Sequence, residues 1–224
     1  MNRYCCGMCT LALIWVLLSC DKDDWRYPSV KQEYVTAFSD GSGKIQSVQT
    51  DDGVTFPVLE DLTGFHMKSD SAMRIVTNYE NLITDKGISG VKIHALLKAV
   101  SPVPLKAHEF QGGVKTESAE VQSIWLGYNY LNILLSVKQP GTHRFGFVEK
   151  SVSVDEGNQC VTVNLMLYHA TTDSALVYSR RAYLSVPLKQ YLADNVKNIV
   201  LLFNLYTESG DLRTYTVKGV IKKS

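Results

Sequence analysis

The chain has 224 residues, with 23 basic and 22 acidic side chains and a formal net charge of +1. Hydrophobic residues make up 45% and charged residues 20%, which excludes a disordered polyelectrolyte and fits one large β domain or two small ones. A body this close to neutral has no long-range field to steer nucleic acid, and that partner is excluded on charge.

The chain opens with Arg3 and an apolar run of 11 residues, Met8 to Leu18. A membrane-spanning helix needs roughly 20 apolar residues, whereas a secretory signal needs about this many. Residues 1–19 are therefore expected to be a signal peptide. The run ends Leu17-Leu18-Ser19-Cys20, which resembles the bacterial lipobox. The resemblance implies cleavage before Cys20 and acylation of its sulfur and new amino group. The competing reading is a short anchor with a chance cysteine. Each acyl CH2 buried in lipid contributes ~0.8 kcal/mol, so several chains on one residue hold a protein firmly.

Residues 20–29 read as lipid anchor and tether. Lys22-Asp23-Asp24 resembles the mark carried by Bacteroidetes lipoproteins that reach the outer face of the outer membrane. The same charges also make a solvated spacer. Removal of residues 1–19 takes Arg3 and leaves 22 of the 23 basic residues against 22 acidic ones. It also removes Cys5, Cys6 and Cys9; with Cys20 lipidated, Cys160 is the one remaining thiol. A disulfide framework is excluded, and Cys160 reads as a buried small hydrophobe.

Period-2 alternation dominates the rest, and turn residues recur at short intervals. The spacing predicts strands over 32–38, 44–50, 54–58, 73–78 and 91–100. Asp40-Gly41-Ser42-Gly43 and Asp52-Gly53 mark tight turns, and QTDDGVTF is the strongest hairpin signal. Five short strands within residues 30–105 suggest a small OB-like barrel. Pro102 and Pro104 end the fifth strand, because proline has no donor for a ladder. Residues 106–118, with Gly112-Gly113, read as a linker.

Residues 119–224 predict seven more strands, over 120–127, 129–138, 143–149, 160–169, 180–188, 197–207 and 213–221. In the fourth of these, Val161, Val163, Leu165 and Leu167 share one face, with Thr162, Asn164, Met166 and Tyr168 on the other. One apolar face per strand is what a two-sheet sandwich needs. Gln139-Pro140-Gly141-Thr142 and Glu208-Ser209-Gly210-Asp211 are expected to close hairpins. The fold class is thus all-β: a five-stranded OB-like barrel followed by a seven-stranded β-sandwich.

Three stretches carry a family resemblance behind the lipobox: the Asp-Asp-Gly of the hairpin, SIWLGYNYLNI (residues 123–133) and LYHATTD (residues 167–173). Together they resemble the NigD-like lipoproteins of Bacteroidetes. The resemblance implies an N-terminal OB-like domain and a C-terminal β-sandwich in a lipid-anchored envelope protein. The family's usual Gly-Gly between Trp and Tyr is Gly127-Tyr128-Asn129 here, which leaves the detailed turn open. The family name comes from a bacteriocin locus, and the resemblance implies a protein partner, with bacteriocin or toxin immunity as the sharpest hypothesis.

Catalytic chemistry finds little support. His66, His94, His108, His143 and His169 show no metal-ligand spacing, and no nucleophile elbow, P-loop or dinucleotide fingerprint occurs. No catalytic residue, metal or cofactor is assigned, and the protein reads as non-enzymatic. His94 reads as a satisfied strand residue. His169 and Asp173 are expected to flank a hairpin turn and cap it, with a catalytic pair as the lesser reading. Glu60-Asp61 and Asp155-Glu156 read as solvated loop pairs. Residues 31–105 hold 7 basic and 9 acidic residues, which argues against an OB barrel that binds nucleic acid.

Trp125 reads as core. Tyr128 and Tyr130 either form an exposed binding surface for protein or sugar, or cover the second sheet or the domain interface. The alternative to a protein-interaction module is a surface glycan-binding accessory lipoprotein. The address itself is tested by metabolic labelling with a palmitate analogue. The native protein takes up label and Cys20→Ala does not; equal signal from both, or none from the native protein, removes the lipid anchor.

Overall fold

The computed structural model describes residues 29–138, 141–172 and 179–221. Cys20, Lys22, Asp23, Asp24 and Asp173 lie outside the described residues. Five strands form the first half: β1 (Lys31–Ser39), β2 (Ile45–Thr50), β3 (Thr55–Asp61), β4 (Ala72–Ile83) and β5 (Ser89–Lys98). They close into a barrel in the order β1-β2-β3-β5-β4. β3 and β5 run parallel and the other paired neighbours antiparallel, which is the Greek-key arrangement of an OB barrel.

The pleat explains why β1 and β4 are buried on both sides. Val35 and Ala37 of β1 and Ile75 of β4 point into the barrel core with Val48, Val91 and Ile93. Their neighbours Tyr34, Thr36, Arg74 and Val76 point outward, yet all four are buried. Tyr34 pairs with Val76 and Thr36 with Arg74 across the two strands. That outer face is where the second half of the chain docks.

The second half contributes β6 (Leu105–Lys106), β7 (Glu120–Gly127), β8 (Tyr130–Val137), β9 (His143–Asp155), β10 (Cys160–Thr171), β11 (Arg180–Pro187), β12 (Asn198–Tyr206) and β13 (Leu212–Val220). One sheet has the order β13-β12-β10-β9-β6 and the other β11-β8-β7. The seven expected strands are all present, joined by the two-residue β6. Val161, Val163, Leu165 and Leu167 of β10 face inward as the alternation requires. They meet Ile199, Leu201, Phe203 and Leu205 of β12, and Leu131, Ile133 and Leu135 of β8. Each such large side chain contributes about 1.5–3 kcal/mol of burial before entropy is subtracted.

Several local expectations need correction. β8 and β9, expected to be the two arms of a hairpin, belong to different sheets, and residues 139 and 140 between them lie outside the described residues. For the same reason the segment after His169 leads from β10 across to β11 in the other sheet rather than around a hairpin. Glu60 and Asp61 end β3, where Glu60 pairs with Lys92 at 2.9 Å, instead of lying in a loop. Cys160 opens β10 and is half-buried, not buried. The hairpin at 207–211 forms as expected: the Thr207 amide donates to the Asp211 carbonyl at 2.9 Å, and Gly210 takes φ +85°.

The chain between the two halves is tied to the sandwich. The Val100 amide donates to Tyr183 O at 2.8 Å, and the Ser185 amide donates to Val100 O at 3.0 Å, so residue 100 extends the β11 edge. β6 then runs parallel to β9, and the Phe110 ring stacks on Tyr168 with centroids 4.7 Å apart. The Glu117 amide donates to His169 O and the His169 amide to Lys115 O. The run read as a linker, 106–118, therefore lies along β9 and β10 of the five-stranded sheet.

Candidate functional site

The barrel and sandwich meet around one buried guanidinium. Arg74 is 4% exposed. Its Nη2 donates to Asp51 Oδ1, in a short ion pair, and to Asn132 Oδ1 at 3.0 Å. Its Nε donates to Ser185 Oγ at 3.1 Å, and its Nη1 reaches Thr36 Oγ1 at 3.4 Å. Asn132 and Ser185 come from the sandwich, whereas Asp51, Thr36 and Arg74 come from the barrel. Asn132 Nδ2 donates to Asp51 Oδ2 at 2.6 Å, and the Ser185 hydroxyl donates to Asn132 Oδ1 at 2.7 Å. The Tyr130 ring covers the guanidinium with its centroid 4.4 Å from Cζ. Such a face-on contact is favourable when the cation is dry.

Two turns make this meeting geometrically possible. Between β2 and β3, Gly53 adopts φ +86°, and the Thr50 amide donates to Val54 O at 2.9 Å. That tight turn thrusts Asp51 toward β7. A Cβ on Gly127 would sit 2.4 Å from Cγ of Asp51, so only glycine at 127 lets the carboxylate approach. The indole Nε1 of Trp125 then donates to Asp51 Oδ2 at 3.3 Å. Gly127 pairs with Tyr130, leaving Tyr128 and Asn129 as the loop of the β7–β8 hairpin. Asn129 takes the left-handed conformation at φ +59°, which asparagine tolerates better than most residues. The Asp-Asp-Gly and Trp–Gly–Tyr motifs, far apart in sequence, are thus in contact.

Beside this network lies a cavity of about 520 Å³. Its barrel wall is formed by Gln32, Glu33, Tyr34, Asp51 and Asp52, and its sandwich wall by Trp125, Tyr128 and Tyr183. Leu188, Leu192, Ile199 and Ile221 contribute aliphatic lining. Tyr128 lies against the barrel hairpin, with ring carbons 3.1 Å from the place of a Cβ on Gly53. Tyr34 stands edge-on to Trp125 at 5.2 Å and donates its hydroxyl to Ile133 O at 3.0 Å. Burial, more than any neighbouring charge, pushes the Tyr34 phenol far up from its usual range. Glu33 Oε2 accepts the Tyr79 hydroxyl at 2.8 Å.

The structure separates the two tyrosines marked in the sequence. Tyr128 borders the cavity, whereas Tyr130 lies over Arg74, and both are half-buried. Arg74, Asp51, Asn132, Ser185 and Tyr34 were not legible as a group. One signal was available: strand periodicity puts Arg74 and Val76 on the same face, and a charge beside an apolar residue on one face announces a buried pair.

Three histidines, His94, His143 and His169, have structural partners. His94 Nε2 and Glu80 Oε1 are 3.0 Å apart, as a satisfied strand residue should be. His169 is fully buried, with Nδ1 3.0 Å from Glu117 O and Nε2 2.8 Å from His143 Nδ1. A carbonyl oxygen only accepts, so His169 carries its proton on Nδ1 and accepts from His143 at Nε2. The ring stacks on Phe145 at 4.6 Å and on His143 at 5.1 Å. Among the described residues no group of three or more His, Cys, Asp or Glu is placed to hold a metal ion.

The model for the NigD-like C-terminal beta sandwich domain matches residues 101–219. A NigD-like immunity protein from Bacteroides caccae is 34% identical, with a TM-score of 0.72 over 88% of this chain and 100% of that one. A Parabacteroides distasonis protein provisionally named toxin-related is 17% identical, with a TM-score of 0.66 over 85% and 93% of the two chains. A Bacteroides fragilis protein provisionally named a lipoprotein is 10% identical, with a TM-score of 0.57 over 86% and 100%. No curated protein matches the chain.

His169 makes stability depend on pH. Burial first, and then His143, lowers its pKa from 6.5 to about 4. The unfolded chain therefore binds a proton that the folded one refuses, and stability is complete above pH 6.5 and lost as pH falls toward 4. Denaturant unfolding should show this decline. His169→Phe keeps the stacking and loses the bond to Glu117; it lowers stability at pH 7 by about 1–3 kcal/mol and flattens that part of the profile. An unchanged slope in the variant would assign the decline to carboxylates.

Proposed function

The chain belongs to the NigD-like family, and from that membership we propose that it is a non-enzymatic, lipid-anchored envelope protein that captures a protein partner. Its sharpest form is immunity: the protein binds an antibacterial peptide or protein before it damages the cell. The observation that carries this reading is the cavity between barrel and sandwich, about 520 Å³ and walled by Trp125, Tyr128 and Tyr183. Rigid aromatic side chains around a concave site are the usual anchors of recognition.

The cavity's carboxylates support binding rather than acid–base chemistry. Asp51 is held by Arg74, Asn132 and Trp125, and Glu33 accepts from Tyr79. Acceptors committed to structural donors make poor proton shuttles. The name of the Bacteroides caccae relative, an immunity protein, supports the partner class. The lipobox at Leu17–Cys20 and the Lys22-Asp23-Asp24 mark support anchoring to the outer face of the outer membrane.

A second reading keeps a specific observation in its favour. Aromatic rings beside carboxylates can also stack on and hydrogen-bond a sugar, as a glycan-binding accessory lipoprotein would require. Gene deletion separates the two. Loss of the gene should sensitise the cell to a toxin encoded nearby, and the native gene should restore survival where Tyr128→Ala restores less. Unchanged survival after deletion removes immunity, and binding on a glycan array would then favour the second reading.

A further inference from the structure

The five-stranded sheet packs on a sheet of three, and its β9 edge is left open. β6 pairs with β9 only at Val148 and Glu149. Beyond Lys106 the chain leaves that edge, and Phe110 stacks on Tyr168 of β10. Every residue from Lys150 to Asp155 is exposed, and among the described residues no strand pairs with their outer side. The exposed side chains include two that belong to the apolar face. Val152 stands opposite Val163 and Val154 opposite Val161, so both valines lie on the core side of the sheet. Val161 and Val163 are buried, yet Val152 is 41% and Val154 53% exposed. Soluble proteins protect such an edge with an inward charge, a proline or a bulge. Here a bulge at Lys150 precedes the edge, and Ser151 to Val154 carry neither charge nor proline.

The sequence of this edge is complementary to itself. A two-fold axis through Ser153 sets Val152 of one copy against Val154 of the other, and Lys150 against Glu156. Ser153 then meets its own counterpart. A shift of two residues either way would place a valine opposite Lys150 or Glu156, and a shift of one would turn the valines to opposite faces. We propose that β9 pairs antiparallel with β9 of a second copy of this chain, centred on Ser153. The two five-stranded sheets then run on as one, and four valines meet on the core side. Each copy gives and receives the same contacts, as a closed two-fold dimer requires, and the lysine–glutamate contact occurs twice. A strand pair this short falls below the roughly 1,200 Å² of a standard interface, so the dimer forms only as concentration rises. None of residues 150–156 lines the cavity beside Arg74, and the pairing is independent of what that cavity binds.

The test uses residues 20–224 carrying Cys20→Ser, followed by sedimentation velocity from about 5 to about 500 µM. Monomer should pass into dimer over this range and into nothing larger. Val154→Lys, at an exposed position, sets a charge against Val152 of the other copy and should weaken dimerisation about tenfold or more. Lys150→Glu should weaken it about fivefold, because one substitution creates two like-charge contacts, and adding Glu156→Lys should restore it. Both charged side chains are exposed, so this exchange keeps the test decisive should Val154→Lys fail to fold. Crosslinking in a Cys160→Ser background reads the register. Ser153→Cys meets its own counterpart with Cα atoms about 4.5–5.5 Å apart, within disulfide reach. Ser151→Cys, on the same face, lies roughly 13 Å or more along the strands from its counterpart. Mild oxidation should link the first variant and not the second.

A chain that stays monomeric throughout the range overturns the proposal, and so does growth beyond a dimer. A dimer indifferent to Val154→Lys, a Lys150→Glu effect that Glu156→Lys does not reverse, or equal crosslinking at 151 and 153 would each refute pairing through this edge.

Discussion

The structure turns on the guanidinium of Arg74, a charge that has left water. Moving an ion of this size into a protein interior costs several kcal/mol even after relaxation, and only close partners offset it. Those partners come from both halves of the molecule. Asp51 supplies the opposing charge from the barrel, and Asn132 and Ser185 supply acceptors from the sandwich. Tyr130 seals one face. Without the sandwich, the outward-facing Arg74 would lose Asn132, Ser185 and Tyr130 together. The ion is dry and satisfied only when the halves are docked in this orientation.

That constraint propagates outward into the candidate site. Asp51 must reach Arg74, so the β2–β3 turn must be tight and residue 127 must lack a side chain. Once the carboxylate is in place, it fixes the Trp125 indole and orients Asn132. The same turn positions Gly53 beneath Tyr128. The cavity is thus bordered by side chains whose positions depend on the interdomain network and is not a gap left by loose packing. The backbone adds a second tie where residue 100 pairs with β11. A binding site between two bodies needs this rigidity, because each loose wall would add an ordering cost on association.

Much of this architecture was legible in the sequence because strand burial writes itself into a two-residue period. Val161, Val163, Leu165 and Leu167 declare an inward face, and every strand expected from such patterns exists. What was not legible depends on which strands become neighbours in space. Nothing local joins Tyr34 to Ile133, or Asp51 to Trp125 and Asn132. The sequence between β8 and β9 carried hairpin chemistry, but a sandwich needs some successive strands to fall in different sheets, and local residues do not say which. His169 sat in a strand pattern that hid its second role, holding residues 115–118 against β10 through both backbone and ring. The motifs SIWLGYNYLNI and Asp-Asp-Gly pointed to the right regions without revealing that they touch.

A double-mutant cycle between Arg74 in the barrel and Asn132 in the sandwich tests this dependence most directly. Arg74→Met, Asn132→Leu and the double variant are compared with the native chain by denaturant unfolding. A shared interdomain network predicts a coupling of about 1–3 kcal/mol between the two sites. Effects that add to within about 0.5 kcal/mol would contradict it, and the two halves would then be neighbours that merely share a chain.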